Sequence, residues 1–221
     1  KKIKQITQFK YPISIGSSAI DKLSSINETN GDYILYASCK YFFNYHPFNN
    51  RIGPYKDLDF ASDFKLYNVQ KTVSSYLNKL GKREGTKIIW KLDPHPIRGK
   101  VPFEVEHILK VNSESTFQEL LKNATLVILD CPTTTCMEAC ISKKPLFLYL
   151  PNPMIPKAQK TINKRAVIGR TPEELVSKID EYLKSGEYPA DVNNREFLKD
   201  FGTHLDDGRS AYRAKDFLLN I

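Results

Sequence analysis

Short apolar segments alternate with longer amphipathic segments along most of this chain, and this order constrains the fold more than any other feature. The apolar segments, each long enough for one strand, cover residues 33–37, 87–92, 107–111, 126–129, 145–150 and 166–168. Alternation of this kind is typical of a mostly parallel sheet covered by helices. The sequence therefore predicts an α/β fold, an open, mostly parallel sheet with helices on both faces. Residues 126–129, the most apolar segment, are predicted to form a central strand.

Apolar periodicity and capping residues predict the helices between the first strands. Residues 64–80 repeat apolar side chains on one helical face, and Gly81 is predicted to end that helix. Ser115 is predicted to cap a helix over residues 116–123, with Gln118 as its capping-box partner. A further helix is expected to run through Ser142.

The C-terminal part of the chain carries a second set of helix signals. Thr171 is predicted to cap a helix through Lys184, with Pro172 at its first position. Residues 151–156 form a proline-rich loop, residues 186–193 a linker, and two terminal helices are expected near 195–201 and 210–219. The predicted organisation is a lead-in segment over 1–30, an α/β domain over 31–185, and C-terminal helices over 186–221 that pack on or cross from that domain.

Size and composition fit one globular domain. A chain of 221 residues is long enough to bury about 70% of its surface on folding. No apolar run approaches the roughly 18 residues that a membrane helix needs, and no apolar signal-peptide core follows the basic N-terminus. We therefore expect a cytoplasmic protein.

The cysteines are expected to be thiols rather than disulfides or metal ligands. Four in 221 residues are too few for a disulfide scaffold. Cys131, Cys136 and Cys140 are separated by four and then three residues, a spacing that matches neither paired zinc motifs nor the usual iron–sulfur runs. The sequence predicts core cysteines and no metal site.

A net charge of +8 raises the question of a nucleic-acid partner, because basic surfaces attract polyphosphates. The lysines, however, are spread along the whole chain. We expect no nucleic-acid partner, since small anionic ligands or an anionic membrane surface fit the same charge.

The first segment with unusual chemistry is the loop over residues 93–100, which follows a predicted strand. Two prolines stiffen the backbone around His95, and Arg98 could bind a phosphate bidentately, with Lys100 close by. Ligands of open α/β sheets bind beyond the C-terminal ends of the strands. The alternative is a histidine that only bonds a neighbouring carbonyl group.

The second such segment runs from Asp130 to Ala139. Thr133, Thr134 and Thr135 offer three hydroxyls at a predicted helix start, beside unpaired N–H groups and the positive end of the helix dipole. These groups predict an anion site, because one cap needs only one hydroxyl; the alternative is N-capping by one threonine. Glu138, one turn further on, could reach a ribose hydroxyl or the capping N–H groups.

The other histidines give weaker signals. His46-Pro47 lies in a long polar and aromatic stretch after the first strand, where solvated loop residues are the simpler interpretation. His107 and His204 are interpreted as structural. The chain has no supported Ser–His–Asp order, no Walker glycine loop and no Gly-x-Gly-x-x-Gly fingerprint.

The order of these segments resembles the C-terminal domain of two-domain, GT-B type glycosyltransferases. Similar groups are the bacterial CDP-glycerol glycerophosphotransferases and the histidine–proline-motif sialyl- and polysialyltransferases of surface-carbohydrate and capsule synthesis. The resemblance rests on residues 16–23 (GSSAIDKL), in which Ser18 replaces the usual proline, on His95-Pro96, on residues 130–139 followed by Lys144-Pro145, and on residues 197–210. It covers nearly the whole chain, but each motif is short.

The resemblance implies a Rossmann-like donor-binding domain. His95 with Pro96, Arg98, the hydroxyls of Thr133, Thr134 and Thr135, and Glu138 would bind the phosphates or nucleotide of a CMP-, CDP- or UDP-linked sugar or polyol, and His95 is the expected catalytic residue. No metal or other cofactor is implied.

The resemblance also implies an N-terminal acceptor domain that this chain does not include. We therefore expect the chain alone to bind nucleotide and to catalyse transfer poorly or not at all. Peripheral contact with the inner face of the membrane belongs to the same expectation. The alternatives are a non-catalytic α/β module that binds nucleotides, polyanions or proteins, and a UDP-sugar epimerase domain of the same two-domain architecture.

Overall fold

The computed structural model describes residues 14–24, 31–39, 63–94, 101, 103–203, 205 and 207–220. The described strands are β1 (Tyr33–Ala37), β2 (Ile88–Lys91), β3 (Leu109–Val111), β4 (Ala124–Leu129), β5 (Leu146–Tyr149) and β6 (Val167–Gly169). The described helices are α1 (Ser18–Ser24), α2 (Asp63–Glu84), α3 (Phe117–Lys122), α4 (Thr134–Ile141), α5 (Pro156–Arg165), α6 (Pro172–Ser185), α7 (Glu196–Phe201) and α8 (Ser210–Leu219).

The six strands form one sheet in the order β3-β2-β1-β4-β5-β6, and every described pair is parallel. The predicted open α/β sheet is therefore confirmed, with β4 in its centre as expected. The strand order reverses between β1 and β4, which pair through Leu35 and Val127 and through Ala37 and Leu129. In folds of this kind, the crevice at the C-terminal ends of the two strands beside such a reversal is the usual ligand site.

Alternate side chains of the strands divide the core into two layers. Leu35 and Ala37 of β1 pack with apolar residues of α1, α3, α4, α5 and α7 in the first core. Ile34 and Tyr36 face the other side and pack with residues of α2 and α6 in the second core. This period of two places helices on both faces of a sheet whose central strands are buried on each side.

Gly81 does not end α2, contrary to the sequence prediction. The helix continues to Glu84 and is followed by Gly85, whose φ of 65° is the left-handed conformation common after helices. Gly81 is buried inside the helix, where an added Cβ would lie 2.9 Å from the carbonyl oxygen of His107. The glycine therefore permits a close approach between α2 and the segment before β3.

The cap of α3 lies one residue further along than predicted. Thr116, not Ser115, is the N-cap, and its hydroxyl accepts a hydrogen bond from the Glu119 N–H. The Glu119 carboxylate in turn accepts from the Thr116 N–H at 2.8 Å. The sequence analysis recognised a capping box but placed its cap one residue too early. The partner in a capping box lies three positions after the cap, so the partner of Thr116 is Glu119 and not Gln118.

Helix α5 was not predicted, because its sequence is rich in lysine and follows a proline-rich loop. Pro156 occupies its first turn, and Ala158, Thr161, Ile162 and Arg165 form the buried face. The helix after Thr171 and the two terminal helices were predicted and are confirmed as α6, α7 and α8. The division at residues 30 and 185 stays a prediction. None of the helices in the described ranges is long and apolar enough to span a membrane.

Candidate anion-binding site

A cleft of about 560 Å³ opens at the C-terminal ends of β1, β2, β3 and β4. Its floor is formed where β1 and β4 end, and its sides by the N-terminal ends of α3 and α4. The described lining residues are Ala37, Ser38, Cys39, Lys91, Leu92, Asp93, Pro94, Asn112, Ser113, Ser115, Thr116, Phe117, Asp130, Cys131, Thr133, Thr134 and Thr135. The cleft therefore lies at the point where the strand order reverses.

The three predicted threonines lie at the mouth of this cleft, at the start of α4. Thr133 is the N-cap residue, but its side chain makes no capping hydrogen bond. Its hydroxyl lies 2.8 Å from the hydroxyl of Thr135 instead. The interpretation of Thr133 as a simple side-chain cap is therefore wrong. A helix start without a side-chain cap presents N–H groups and a positive dipole end, both of which favour a bound anion.

Asp130, three residues before Thr133, joins the ends of β1 and β4 to α2. Its Oδ1 accepts a hydrogen bond from the Cys39 N–H at 2.6 Å. Its Oδ2 accepts from Gln70 Nε2 at 2.7 Å and from the Tyr36 hydroxyl at 3.2 Å. Gln70 Nε2 also donates to the Cys39 carbonyl at 2.9 Å. These bonds fix the point at which β1 enters the cleft.

The Asp130 carboxyl is only 3% exposed, and this burial dominates its acidity. Desolvation raises the pKa of Asp130 to about 6, although the hydrogen bonds from Cys39, Gln70 and Tyr36 oppose the shift. No arginine or lysine is among its described hydrogen-bond donors. A buried carboxyl of this kind is partly protonated in mildly acidic solution, and it places a titratable group beneath the proposed anion.

Lys91 supplies positive charge to the cleft, and the sequence analysis did not single it out. It is the only cationic side chain among the described lining residues. Its ammonium donates to the Asn112 carbonyl, and desolvation lowers the pKa of Lys91 despite Glu114 and Asp93 nearby. Since Ile89 faces the first core, strand alternation directs Lys91 toward α3 and α4. A lysine at the exposed end of an otherwise apolar strand is the signal that could have identified it.

The loop between β3 and α3 forms the other wall of the cleft with polar groups. Asn112, Ser113, Ser115 and Thr116 line this wall. The Glu114 carboxylate accepts a hydrogen bond from the Asn112 N–H at 2.7 Å, which closes the turn. This wall could accommodate a hydroxyl-bearing part of a ligand whose charge lies at α4.

Glu138 lies on α4 but is not among the residues that line the cleft. Its Oε1 accepts a hydrogen bond from Gln118 Nε2 at 2.8 Å, which links α4 to α3. Burial raises the pKa of Glu138. The structure thus brings the three threonines together with Asp130 and Lys91, and places Glu138 against α3.

Several predicted site residues lie outside the described residues: His95, Pro96, Arg98, Lys100 and the pair His46-Pro47, as does His204. Pro94, which immediately precedes His95, lines the cleft together with the threonines. The convergence of His95 on the threonines stays a prediction. His107 is exposed, and its backbone N–H donates to Asn78 at 2.8 Å.

The sequence analysis predicted that Cys131, Cys136 and Cys140 are core residues, and the structure confirms this for two of the three. Cys136 and Cys140 are core residues as predicted, each 1% exposed. Cys131 is only partly buried and lines the cleft, as does Cys39. Within the described ranges no cluster of three or more histidine, cysteine or acidic residues could hold a metal ion.

Neither a protein-family model nor a curated protein matches this sequence significantly. Solved structures do match the fold. The chain is similar to UDP-GlcNAc 2-epimerase from Neisseria meningitidis bound to UDP-GlcNAc, with a TM-score of 0.55 and 13% identity over 99% of this chain and 58% of that one. It is also similar to UDP-GlcNAc 2-epimerase from Methanocaldococcus jannaschii, with a TM-score of 0.51 and 16% identity over 97% of this chain and 58% of that one.

A third similar structure is a variant of the wall teichoic acid polymerase TagF, with a TM-score of 0.51 and 16% identity over 94% of this chain and 53% of the polymerase. At these identities the likeness shows the fold, a Rossmann-like α/β domain of the GT-B type. The chain spans little more than half the length of each of these three proteins.

Proposed function

We propose that this chain is the donor-binding domain of a GT-B type glycosyltransferase, or of a glycerophosphotransferase-like enzyme, of surface-polysaccharide synthesis. Its ligand would be a sugar or polyol activated by CMP, CDP or UDP and bound through its phosphates. One observation carries the proposal: the α4 N-terminus, with three threonines and no side-chain cap, opens into the cleft at the ends of β1 and β4. Helix starts at such positions are frequent phosphate sites.

The chemistry required of this site is electrostatic. The α4 N–H groups and the hydroxyls of Thr133 and Thr135 would donate hydrogen bonds to phosphate oxygens, and the Lys91 ammonium would add positive charge. His95, one residue beyond the lining residue Pro94, would donate to the same group. Donors aimed at the leaving nucleotide stabilise the charge that develops on it during transfer, and this role needs no metal ion. Arg98 is a further candidate, and Glu138 would act by positioning α4.

The acceptor and the reaction would involve residues outside this chain. An N-terminal acceptor domain, a cytoplasmic location and contact with the inner face of a membrane are all part of the proposal. The similarity to TagF, whose name describes a wall teichoic acid polymerase, supports the choice of surface-polymer synthesis.

Calorimetric titration of the chain with CMP, CDP, UDP and UDP-GlcNAc tests the proposal. We expect at least one to bind, and a Thr133→Val/Thr135→Val double variant to bind it at least tenfold more weakly. Thr125→Val is the matched control, because Thr125 lies at the N-terminal end of β4, away from the cleft, and its hydroxyl donates to the Tyr33 carbonyl at 3.0 Å. Absence of binding by all four ligands contradicts the proposal. Salt-sensitive binding of oligonucleotides alone would favour a polyanion-binding module.

A UDP-sugar epimerase is the second candidate, because two of the similar structures are UDP-GlcNAc 2-epimerases. Product analysis of UDP-GlcNAc by NMR, with the chain and with a longer protein that contains it, separates the two functions. A C2-epimerised product identifies an epimerase, whereas transfer of the sugar or polyol to an acceptor identifies a transferase.

A further inference from the structure

Two of the four cysteines lie at the floor of the cleft, at corresponding positions after the ends of β1 and β4. Cys39 follows β1 and Cys131 follows β4, and both are partly exposed lining residues. Cys136 and Cys140 are also thiols, but each is only 1% exposed. Solvent access therefore divides the four thiols into a cleft pair and a core pair.

The register of β1 and β4, continued two residues past the last pair, aligns Cys39 with Cys131. The last paired residues of these parallel strands are Ala37 and Leu129. Cys39 lies two residues after Ala37, and Cys131 lies two residues after Leu129. The Cys39 N–H donates to Asp130 Oδ1 at 2.6 Å, so the two chain segments remain together past the end of the ladder.

Both residues line the same cleft, and side-chain alternation predicts that their sulfur atoms lie on the same face of the sheet. The alternation continues beyond the strands, because Ser38 accepts from Trp90 Nε1 at 2.9 Å and Asp130 accepts from Gln70, both on the face of the second core. The next residue in each segment then faces the first core and α4. Cys39 and Cys131 therefore face the cleft together.

The usual spacing of neighbouring parallel strands is compatible with a disulfide between residues aligned in this way. Neighbouring strands lie about 4.7–4.9 Å apart, and disulfides join Cα atoms that are usually about 4.4–6.8 Å apart. Cys131 precedes α4 by a short turn in which the Thr133 N–H donates to the Cys131 carbonyl at 3.0 Å.

We propose that Cys39 and Cys131 are a paired-thiol modification site, oxidised by peroxides to a disulfide that crosses the floor of the cleft and excludes its anionic ligand. One thiol loses its proton and attacks a peroxide oxygen as the thiolate, the O–O bond breaks, and the departing hydroxide takes up that proton, so that a sulfenic acid and one water are formed. The second thiol then attacks the sulfenic sulfur, the S–S bond forms and the second water leaves. Two thiols are oxidised, and one hydrogen peroxide is reduced to two waters.

The disulfide alters the site through the α4 N-terminus. It would hold the turn at Cys131 against the end of β1, and Thr133, the N-cap of α4, lies only two residues further on. The sulfur atoms of the bridge would occupy the floor of the cleft beneath the threonine hydroxyls and first-turn N–H groups, and so exclude the anion that these groups bind. This second half of the inference rests on the proposed function, whereas formation of the disulfide does not.

Peptide mapping tests the disulfide. The folded chain is treated with hydrogen peroxide, denatured, alkylated without reduction, digested and analysed by mass spectrometry. We expect a Cys39–Cys131 linked peptide, two hydrogen masses lighter than the sum of its parts and removed by dithiothreitol, while Cys136 and Cys140 remain alkylated. The linked peptide should be absent from Cys131→Ser. A Cys136–Cys140 link, unlinked sulfinic acids at the cleft pair, or no oxidation at either cysteine overturns the proposal.

Calorimetry before and after peroxide tests the effect on the ligand. We expect the oxidised chain to bind the ligand of the reduced chain at least tenfold more weakly, dithiothreitol to restore binding, and Cys39→Ser to bind equally with and without peroxide. Equal loss of binding by Cys39→Ser overturns the link between the disulfide and the site. If the reduced chain binds no nucleotide, the proposed function fails, and the peptide map still decides whether the disulfide forms.

Discussion

The Asp21 carboxylate of α1 caps the N-terminus of α8 across 189 positions of the sequence, through the N–H and hydroxyl of Ser210. The Ser210 N–H donates to Oδ2 at 2.8 Å, and the Gly208 N–H donates to Oδ1 at 3.2 Å. Arg209, the N-cap residue of α8, makes no capping hydrogen bond with its own side chain. The two segments that resembled separate family motifs, residues 16–23 and 197–210, are therefore parts of one contact.

Replacing Asp21 with alanine should loosen α8 without unfolding the sheet. The variant removes the acceptor of three hydrogen bonds at the helix start. It also removes a negative charge that interacts favourably with the positive end of the helix dipole. We expect amide hydrogen exchange in residues 210–219 to become about tenfold faster, and exchange in β4 to stay unchanged. The pKa of Asp21 is lowered, mainly by the Ser210 hydroxyl, so this contribution is present above the usual carboxyl pKa and lost as the pH falls through the folded value.

Hydrogen exchange followed by mass spectrometry measures this effect, with Asp32→Ala as the control. Asp32 precedes β1 and makes an exposed ion pair with Lys87 at 2.8 Å. Faster exchange of α8 in both variants, or in neither, would contradict the assignment of Asp21 as the cap.

Arg165 should be among the most sensitive positions for stability, although it lies in a helix that the sequence did not reveal. The side chain is 0% exposed, and it donates to the carbonyls of Cys140 at 3.0 Å, Ala139 at 2.9 Å and Lys144 at 2.9 Å. A cation at the C-terminal end of α4 also complements its dipole. Arg165→Met removes three hydrogen bonds to carbonyl groups, of which that of Ala139 keeps another donor, Ser142, and we expect the free energy of unfolding to fall by about 3 kcal/mol.

Urea unfolding monitored by circular dichroism compares this variant with Arg83→Met. The Arg83 side chain is 65% exposed and pairs with its neighbour Glu84, so its replacement should leave the free energy of unfolding nearly unchanged. Similar losses for the two arginines would show that the Arg165 contacts with α4 contribute little.

The sheet could be predicted from the sequence because buried parallel strands are short, continuous apolar runs. Residues 126–129 gave the central strand β4 for this reason. Gly81 could not be assigned from local signals, because a glycine that ends a helix and a glycine that allows a close contact look alike in sequence. The helix over residues 156–165 was missed because four of its ten residues are basic, and its buried Arg165 is recognisable only once α4 is in place.

Residues of the candidate site that are adjacent in sequence could be predicted, whereas residues that come together only in the folded chain could not. The threonines at the start of α4 were identified from three adjacent hydroxyls. The joint role of Asp130, Gln70 and Tyr36 depends on contacts between residues 60 and 94 positions apart, for which a single sequence carries no signal. Lys91 belongs to the same group, since its position opposite α4 follows from the order of the strands.

Lys91→Met should weaken nucleotide binding by about tenfold, because one charge-assisted contact to phosphate contributes on the order of 1.4 kcal/mol. The dependence of affinity on salt should also become shallower, because a cation no longer faces the anion. Calorimetric titration in 50 mM and 300 mM salt, between which the Debye length falls roughly 2.4-fold, measures both effects.

Lys87→Met is the matched control, since Lys87 immediately precedes the same strand at its opposite end and pairs with Asp32. We expect Lys87→Met to bind like the unaltered chain. Unchanged affinity and salt dependence in Lys91→Met would mean that its ammonium serves only the Asn112 carbonyl.

Asp130 should make stability fall as the pH rises through the mildly acidic range. Its pKa is about 6 in the folded protein and 3.8 when unperturbed, so the folded state binds more protons between these values. Its contribution is therefore fully present below pH 4, declines between pH 4 and 6, and is absent above pH 7. A shift from 3.8 to about 6 corresponds to about 3 kcal/mol in total, of which about 2 kcal/mol falls between pH 4.5 and 7.5.

Asp130→Asn isolates this contribution because the amide does not titrate. Its Oδ1 can still accept from Cys39, but its NH₂ group faces Gln70 Nε2, which adds a loss of about 1–3 kcal/mol that does not depend on pH. Urea unfolding of both proteins at several pH values gives the difference in free energy of unfolding, unaltered chain minus variant. We expect that difference to decrease by about 2 kcal/mol from pH 4.5 to 7.5.

Tyr36→Phe provides a test of opposite sign for the same carboxyl. The Tyr36 hydroxyl donates to Oδ2 at 3.2 Å and lowers the pKa of Asp130, so its removal should raise that pKa further. Stability should then continue to decline to a higher pH than in the unaltered chain. A flat difference curve for Asp130→Asn would mean that the Asp130 carboxyl is ionised throughout this range, and that its three donors outweigh the cost of its burial.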